Sequence, residues 1–215
     1  MDSVLYNSHP DVSSEETLFD PVAESGGIAK GTAGEVVIAP WNDPEALENI
    51  LKVQHEDISA IITEPILWNS NVILPNPGYL EKLRELCDKY DILLILDEVG
   101  TGFRVALGGA QEIYNIEPDL STYAKSMAGG FPIAMLAGKP EIMDYMSSGE
   151  VVHGGSFNTN VMSVSASHAT LDHLLNNKNF YNSLNKNGDL LIKGLEESAK
   201  KKNIDILIQG LGSVF

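Results

Sequence analysis

The chain has 215 residues, 43% of them apolar and 20% charged, with a formal net charge of −16. Such a length suits one sizeable core, and the composition excludes an intrinsically disordered chain. The acidic excess excludes nucleic acid and anionic membrane as partners, because both require basic patches.

Residues 1–34 are rich in Ser, Gly, Pro and Asp without a sustained period, and read as surface loop. So long an irregular opening points to a functional loop or to a missing neighbour. Glu35 to Ala39 alternates weakly and predicts a strand. Asp43-Pro44-Glu45 predicts a helix start: a capping Asp, Pro at the first position and an acid at the positive end of the dipole. Leu47, Ile50 and Leu51 form its buried stripe. Ile58 to Thr63 is a second strand, ending at Glu64-Pro65. Pro77-Gly78 opens another helix, with Leu80, Leu83, Cys87 and Tyr90 at helical spacing.

Ile92 to Leu96 is a continuous apolar run, which predicts a strand covered on both faces, as in a parallel sheet. It leads straight into Asp97 and Glu98. Open α/β sheets take ligands outside the carboxyl ends of their strands, where Asp97 falls. Leu120 to Ala124 is the next strand and leads into Lys125, followed by SMAGGFP. Asp97 and Lys125 lie 28 positions apart, room for one crossover, so both can reach one sheet edge.

Pro132 to Ala137 predicts a further strand and Pro140 to Met146 a short helix. Val161 to Leu175 is helical, with Val161, Val164, His168, Leu171 and Leu175 on one face. Phe180 to Lys202 is an amphipathic helix closing on three lysines, favourable at a helix C-terminus. Ile204 to Phe215 begins a strand-like segment. Strand and helix alternate, which predicts an α/β fold with a mainly parallel central sheet flanked by helices.

Cys87 is the single cysteine, so no internal disulfide forms and a reducing compartment suits the chain. The start, MDSVLYNSHP, has neither the basic nor the apolar region of a signal peptide, and no apolar run reaches transmembrane length. The expectation is a cytoplasmic protein. No GxGxxG or GxxxxGK[ST] occurs, so the nucleotide readings fail. The five histidines, at 9, 55, 153, 168 and 173, have no metal-ligand spacing.

An aspartate and a lysine alone equally describe a surface ion pair. Their surroundings are more specific. LDEVGTGFR, then GGAQ, then Lys125 before a Gly-Gly-x-Pro turn resembles the class III aminotransferases, which use pyridoxal 5′-phosphate (PLP) on a type I fold. Within them FRVALGGAQ is most similar to the glutamate-1-semialdehyde 2,1-aminomutase branch. The resemblance runs from about Asp2 to the C-terminus. It implies a PLP-binding large domain over residues 1–203, lacking its N-terminal part, and the start of a small C-terminal domain at 204–215. In the family a Tyr-His-Gly segment comes just before the counterpart of Asp2-Ser3, and the phosphate loop and stacking aromatic lie upstream.

The resemblance also implies roles. Lys125 is the Schiff-base residue, whose freed amine then moves a proton, and Asp97 keeps the pyridine nitrogen protonated. Val99 matches the position that packs on the ring face, although an ordinary core valine fits equally well. Asn69, in EPILWNSN, matches an asparagine that hydrogen-bonds the ring hydroxyl oxygen; a loop asparagine serving backbone groups is the alternative. Ser156, in HGGSFNTN, falls where the family has a hydroxyl that reaches the cofactor phosphate of the neighbouring subunit, but Val161 stands where many relatives have Pro. Glu64 and Arg104 are expected to support the fold rather than touch substrate.

The implied partners are a small amino/aldehyde or amino/oxo acid substrate and a second copy of the chain, in a homodimer with shared active sites. The implied activity is amino-group exchange within one substrate. The alternative is a transaminase passing an amino group to a 2-oxo acid, since HGGSFNTNV also resembles transaminases of β-amino acids. An inactive fragment serving only dimerisation is a third reading.

Overall fold

The structure, a computed structural model, describes residues 6–7, 22–23 and 26–215. The surface loop expected over residues 1–34, including Asp2-Ser3, therefore falls largely outside the described residues. The chain divides into two compact units, residues 1–55 and 56–215.

In the first unit β1 (Tyr6–Asn7) and β2 (Val22–Ala23) pair antiparallel. The helix α1 (Pro44–Gln54) starts as its sequence predicts. The Asp43 side chain accepts the Ala46 N–H at 2.9 Å, Pro44 stands in the first turn, and Leu47 and Leu51 are buried. The strand expected at Glu35–Ala39 does not form. Lys30–Glu35 closes as a 3-10 helix, and residues 36–39 have no ladder partner among the described residues. An alternating pattern becomes a strand only where a neighbour satisfies its N–H and C=O groups.

The second unit is built on four strands in the order β3 (Ala60–Thr63), β4 (Leu93–Asp97), β5 (Leu120–Tyr123) and β6 (Met135–Gly138). The pairs β3/β4 and β4/β5 are parallel, and β5/β6 is antiparallel. The sheet is thus mainly parallel, as expected. The β3-to-β4 crossover carries α2 (Tyr79–Tyr90), which buries Leu80, Leu83, Leu86 and Cys87 and lies against β4. A shorter helix, α3 (Ala110–Tyr114), sits between β4 and β5.

Double coverage of β4 is not borne out. Leu94 and Leu96 are fully buried, but Leu93 is 37% exposed, and Ile62, opposite Ile95 on the neighbouring strand, is 66% exposed. Ile95 itself is half-buried, so that second face is covered only in part. The apolar run reflects two faces that both favour burial, of which one is fully buried here and the other partly.

Asp119, just before β5, clamps the edge of the sheet opposite Asp97. Its Oδ2 accepts the Leu94 N–H at 2.7 Å and Arg84 Nη1 at 2.8 Å, and Lys139 Nζ lies 2.6 Å from its Oδ1. Burial alone would raise the Asp119 carboxyl pKa. The Leu94 N–H, Lys139 and Arg84 outweigh that effect and hold it below the ordinary value.

After β6 come α4 (Pro140–Ser147), α5 (Val161–Asn176) and α6 (Phe180–Lys202). The face of α5 differs from the expected one: Ser163, Ser167 and Leu174 are buried, while Val161, Val164 and Leu175 are exposed. The reason is steric. This helix lies against the 3-10 turn Lys125–Ala128, and Ala166 packs on Met127 and Ala128, so small side chains are what fit. The segment from Ile204 to Phe215 forms no named strand, only an isolated bridge between Leu211 and Val214. It is tied back instead by Arg104 Nη2, which donates to the Ser213 carbonyl at 3.0 Å.

Candidate active site

The parallel register of β4 and β5 sets Asp97 opposite Thr122, so both strands end at the same edge. The Val99 N–H at 2.9 Å and the Thr122 hydroxyl at 3.1 Å both donate to Asp97 Oδ1. A carboxylate held from two sides at one oxygen has a fixed plane. Val99 is half-buried directly beyond it.

Two residues past the end of β5, Lys125 opens the 3-10 turn Lys125–Ala128. Its φ is +39°, in the region that non-glycine residues avoid at a cost of about 1–3 kcal/mol. Its side chain is exposed, with Nζ over the Trp68 ring at 5.9 Å from the centroid. That approach is within cation–π range. Lys139 follows Gly138, which pairs with Leu120 at the far end of β5, and Asp119 already holds it.

Glu64, at the end of β3, completes the cluster. Its pKa is raised chiefly by burial and further by the Asp97 charge, against the opposing pull of the Trp68 N–H and Lys125. The Trp68 N–H donates to its Oε2 at 3.0 Å. Asp97, Val99 and Lys125 are therefore assembled at one edge, with Glu64, Trp68 and Thr122 around them.

The other two expected residues make no hydrogen bond to the cluster among the described residues. Asn69 follows Trp68 but is exposed, on the rim of a cavity of about 1150 Å³ that Trp68, Arg104 and Gly188 also line. Ser156 is exposed in the loop before α5, and among the described residues no hydrogen bond joins it to the cluster. Asn160 caps α5 instead, accepting the Ser163 N–H at 3.2 Å.

Sequence reasoning missed Trp68, Thr122 and the role of Glu98. The Glu98 side chain is fully buried and accepts the Ala110 N–H at 2.9 Å and the Gln111 N–H at 2.7 Å, so it caps α3 across the crossover. Burial raises its pKa, opposed by the Thr101 hydroxyl and these N–H groups. Gly109 makes this possible. Its φ is +79°, and a Cβ there would lie 2.7 Å from Glu98 Cδ. The GG of GGAQ fits a tight turn near a ligand, and nothing in it names Glu98 as the side chain that approaches.

An amine and an oriented carboxylate on adjacent strand ends fit a cofactor that presents an aldehyde and a pyridine nitrogen. No group of His, Cys, Asp and Glu among the described residues suits a metal ion.

A family profile described as "Aminotransferase class-III" matches residues 30–215. Glutamate-1-semialdehyde 2,1-aminomutase of Wigglesworthia glossinidia brevipalpis is 41% identical over 215 residues, 100% of this chain and 48% of that protein. Its counterpart in Methanocaldococcus jannaschii is 41% identical over 192 residues, covering 89% and 45%. The chain thus spans about half the length of the curated relatives it matches. Among solved structures, a transaminase with PLP bound superposes with TM-score 0.87 at 26% identity, over 99% of this chain and 49% of that one. An omega-transaminase from Sphaerobacter thermophilus gives TM-score 0.87 at 28% identity, with the same coverage.

Proposed function

The chain belongs to the class III aminotransferases, and from that premise we propose that it is the PLP-binding part of an enzyme that moves an amino group within glutamate-1-semialdehyde or a similar small amino aldehyde. The observation that carries the proposal is the delivery of Asp97 and Lys125 to one sheet edge by adjacent parallel strands. Relatives named for the aminomutase reaction at 41% identity favour the mutase. Transfer to a separate 2-oxo acid is the second reading, favoured by structural neighbours that are transaminases.

When bound, PLP supplies a protonated pyridine ring that accepts the electron pair left on the substrate carbon. Asp97 would favour that ring proton by charge pairing, with the Thr122 hydroxyl and Val99 N–H fixing the plane of its carboxylate. Lys125 Nζ would be the amine that meets the cofactor aldehyde, and the same amine would serve as the base that moves the substrate proton. Val99 would border the ring, and Asn69, the residue after Trp68, would reach the ring hydroxyl oxygen. Ser156 serves the phosphate site of a second copy, in a homodimer with shared sites. Residues 204–215 begin the small domain. A cytoplasmic location accompanies this reading, and no helix among the described residues is long and apolar enough to cross a membrane.

Adding PLP, reducing with borohydride and mapping peptides tests the assignment. The tag is expected on Lys125; a tag on Lys139 would overturn it. Semialdehyde conversion set against pyruvate-dependent transamination separates the two readings. An inactive dimerisation module would give neither activity nor tag.

A further inference from the structure

The loop that carries Asn69 is strained. Asn71 and Val72 have φ of +58° and +54°, the one pair of consecutive non-glycine residues in the left-handed region among the described residues. A β-branched residue avoids that region, and such a conformation persists only where its surroundings over-determine it. Four contacts do so. Leu67 and Ile73 close the loop with reciprocal N–H···O bonds of 3.0 and 3.3 Å. Glu64 Oε2 accepts the Trp68 N–H at 3.0 Å. Val72 is buried in one cluster with Ile66, Val105, Ala110 and Val214. Gln209 Nε2 donates to the Asn71 carbonyl at 2.7 Å, from 138 residues further along the chain. The stretch around Gln209 is itself anchored, because Arg104 Nη2 donates to the Ser213 carbonyl and the Ser213 N–H donates to Asn185 Oδ1 at 3.3 Å.

We propose that Gln209 is a positioning residue, whose bond to the Asn71 carbonyl holds the loop in the conformation that presents the Asn69 amide to the ring hydroxyl of the cofactor. This role rests on the reading of Asn69 given above and supplies what keeps that side chain in place. Asn69 is exposed, so packing does not fix it and the backbone of its loop must. Two polar ties bracket it, Glu64 at Trp68 on one side and Gln209 at Asn71 on the other. Burial of Val72 anchors the far end of the loop, but it does not set the plane of the Asn71 peptide. Only a directional bond does that.

Gln209→Met keeps length and neutrality and loses only the donor. In the 215-residue chain without cofactor, amide hydrogen exchange over residues 67–73 is expected to quicken about 5-fold in this variant. With PLP in excess, the Lys125 amine condenses with the aldehyde, forming a C=N bond and releasing one water. Visible absorbance then follows the proton on that nitrogen as pH changes. The ring hydroxyl oxygen shares the proton, so an amide donor at that oxygen weakens its hold and lowers the midpoint. Gln209→Met is expected to raise the midpoint by about half a pH unit, and Asn69→Ala, which removes the amide itself, at least as far. Unchanged exchange over residues 67–73 overturns the proposal. So does quicker exchange with a parental midpoint, the result of a merely structural Gln209; a raised midpoint in Asn69→Ala would then leave the reading of Asn69 standing. A parental midpoint in Asn69→Ala overturns that reading and the role of Gln209 with it.

Discussion

Asp97 and Thr122 face each other across two parallel strands, and the Thr122 hydroxyl donates to Asp97 Oδ1 over 3.1 Å. The bond spends one face of β5 on orienting a carboxylate rather than on packing. It joins the two strand ends from which the candidate chemistry projects. On the role proposed for Asp97, Asp97→Asn removes the charge that would stabilise a ring cation and is expected to lower turnover about 100-fold or more while the chain still takes up PLP. Thr122→Val leaves the charge and frees its plane, for an expected loss in kcat of about 10-fold. Steady-state kinetics of both variants check this. Near-parental turnover in Asp97→Asn would make the carboxylate a structural group.

The opposite edge makes a prediction about pH. The folded Asp119 carboxyl sits below its unfolded value of about 3.9, so its clamp stabilises the chain above that pH and fades as pH falls through the folded value. Asp119→Asn keeps the shape but gives up the charge facing Arg84 and Lys139. The expected cost at neutral pH is about 2–4 kcal/mol, since breaking a buried pair strands its partners. Urea midpoints across a pH series should show the two chains converging in acid. A constant difference from neutral pH to acid would contradict the clamp.

These two edges show what the sequence could and could not tell. Asp97 and Lys125 were legible because strand ends and crossover lengths are local properties, and 28 residues suit one crossover. Asp119 was not, because its three partners, Arg84, Leu94 and Lys139, come from α2, β4 and the residue after β6. No period in a single segment records such a meeting. The face of α5 was misread for a related reason. Val161, Val164 and Leu175 are the more apolar residues, but the close approach of the Lys125 turn selects for small Ser163, Ala166 and Ser167 instead. Trp68 was visible as a letter in EPILWNSN, yet only the fold puts it under Lys125.

Gly109 carries the next prediction. Its φ of +79° disfavours any side chain, and a Cβ would press on the buried Glu98 carboxylate that caps α3. Gly109→Ala is expected to cost about 2–4 kcal/mol, combining backbone strain with a displaced buried charge. The check is the urea midpoint beside that of Gly149→Ala, which also has positive φ but meets nothing within 4 Å. Equal losses in the two would show that strain alone acts and that Glu98 is not displaced.

The last prediction concerns the second copy. Val152, Phe157 and Val161 are 92%, 85% and 77% exposed within ten residues of one another, which is apolar surface of the kind that marks an interface. In a two-fold dimer each substitution acts twice, because the same patch is presented by both copies. Burying one Phe side chain is worth about 1.5–3 kcal/mol, so losing it in both copies weakens association about 100-fold or more. Phe157→Asp should therefore sediment as a monomer at concentrations where the parent is a dimer. Val53→Asp, at an equally exposed valine in the other compact unit, should leave the parental state unchanged. Two variants that shift association alike, or a parent that is monomeric throughout, would remove the support that this patch gives to shared active sites.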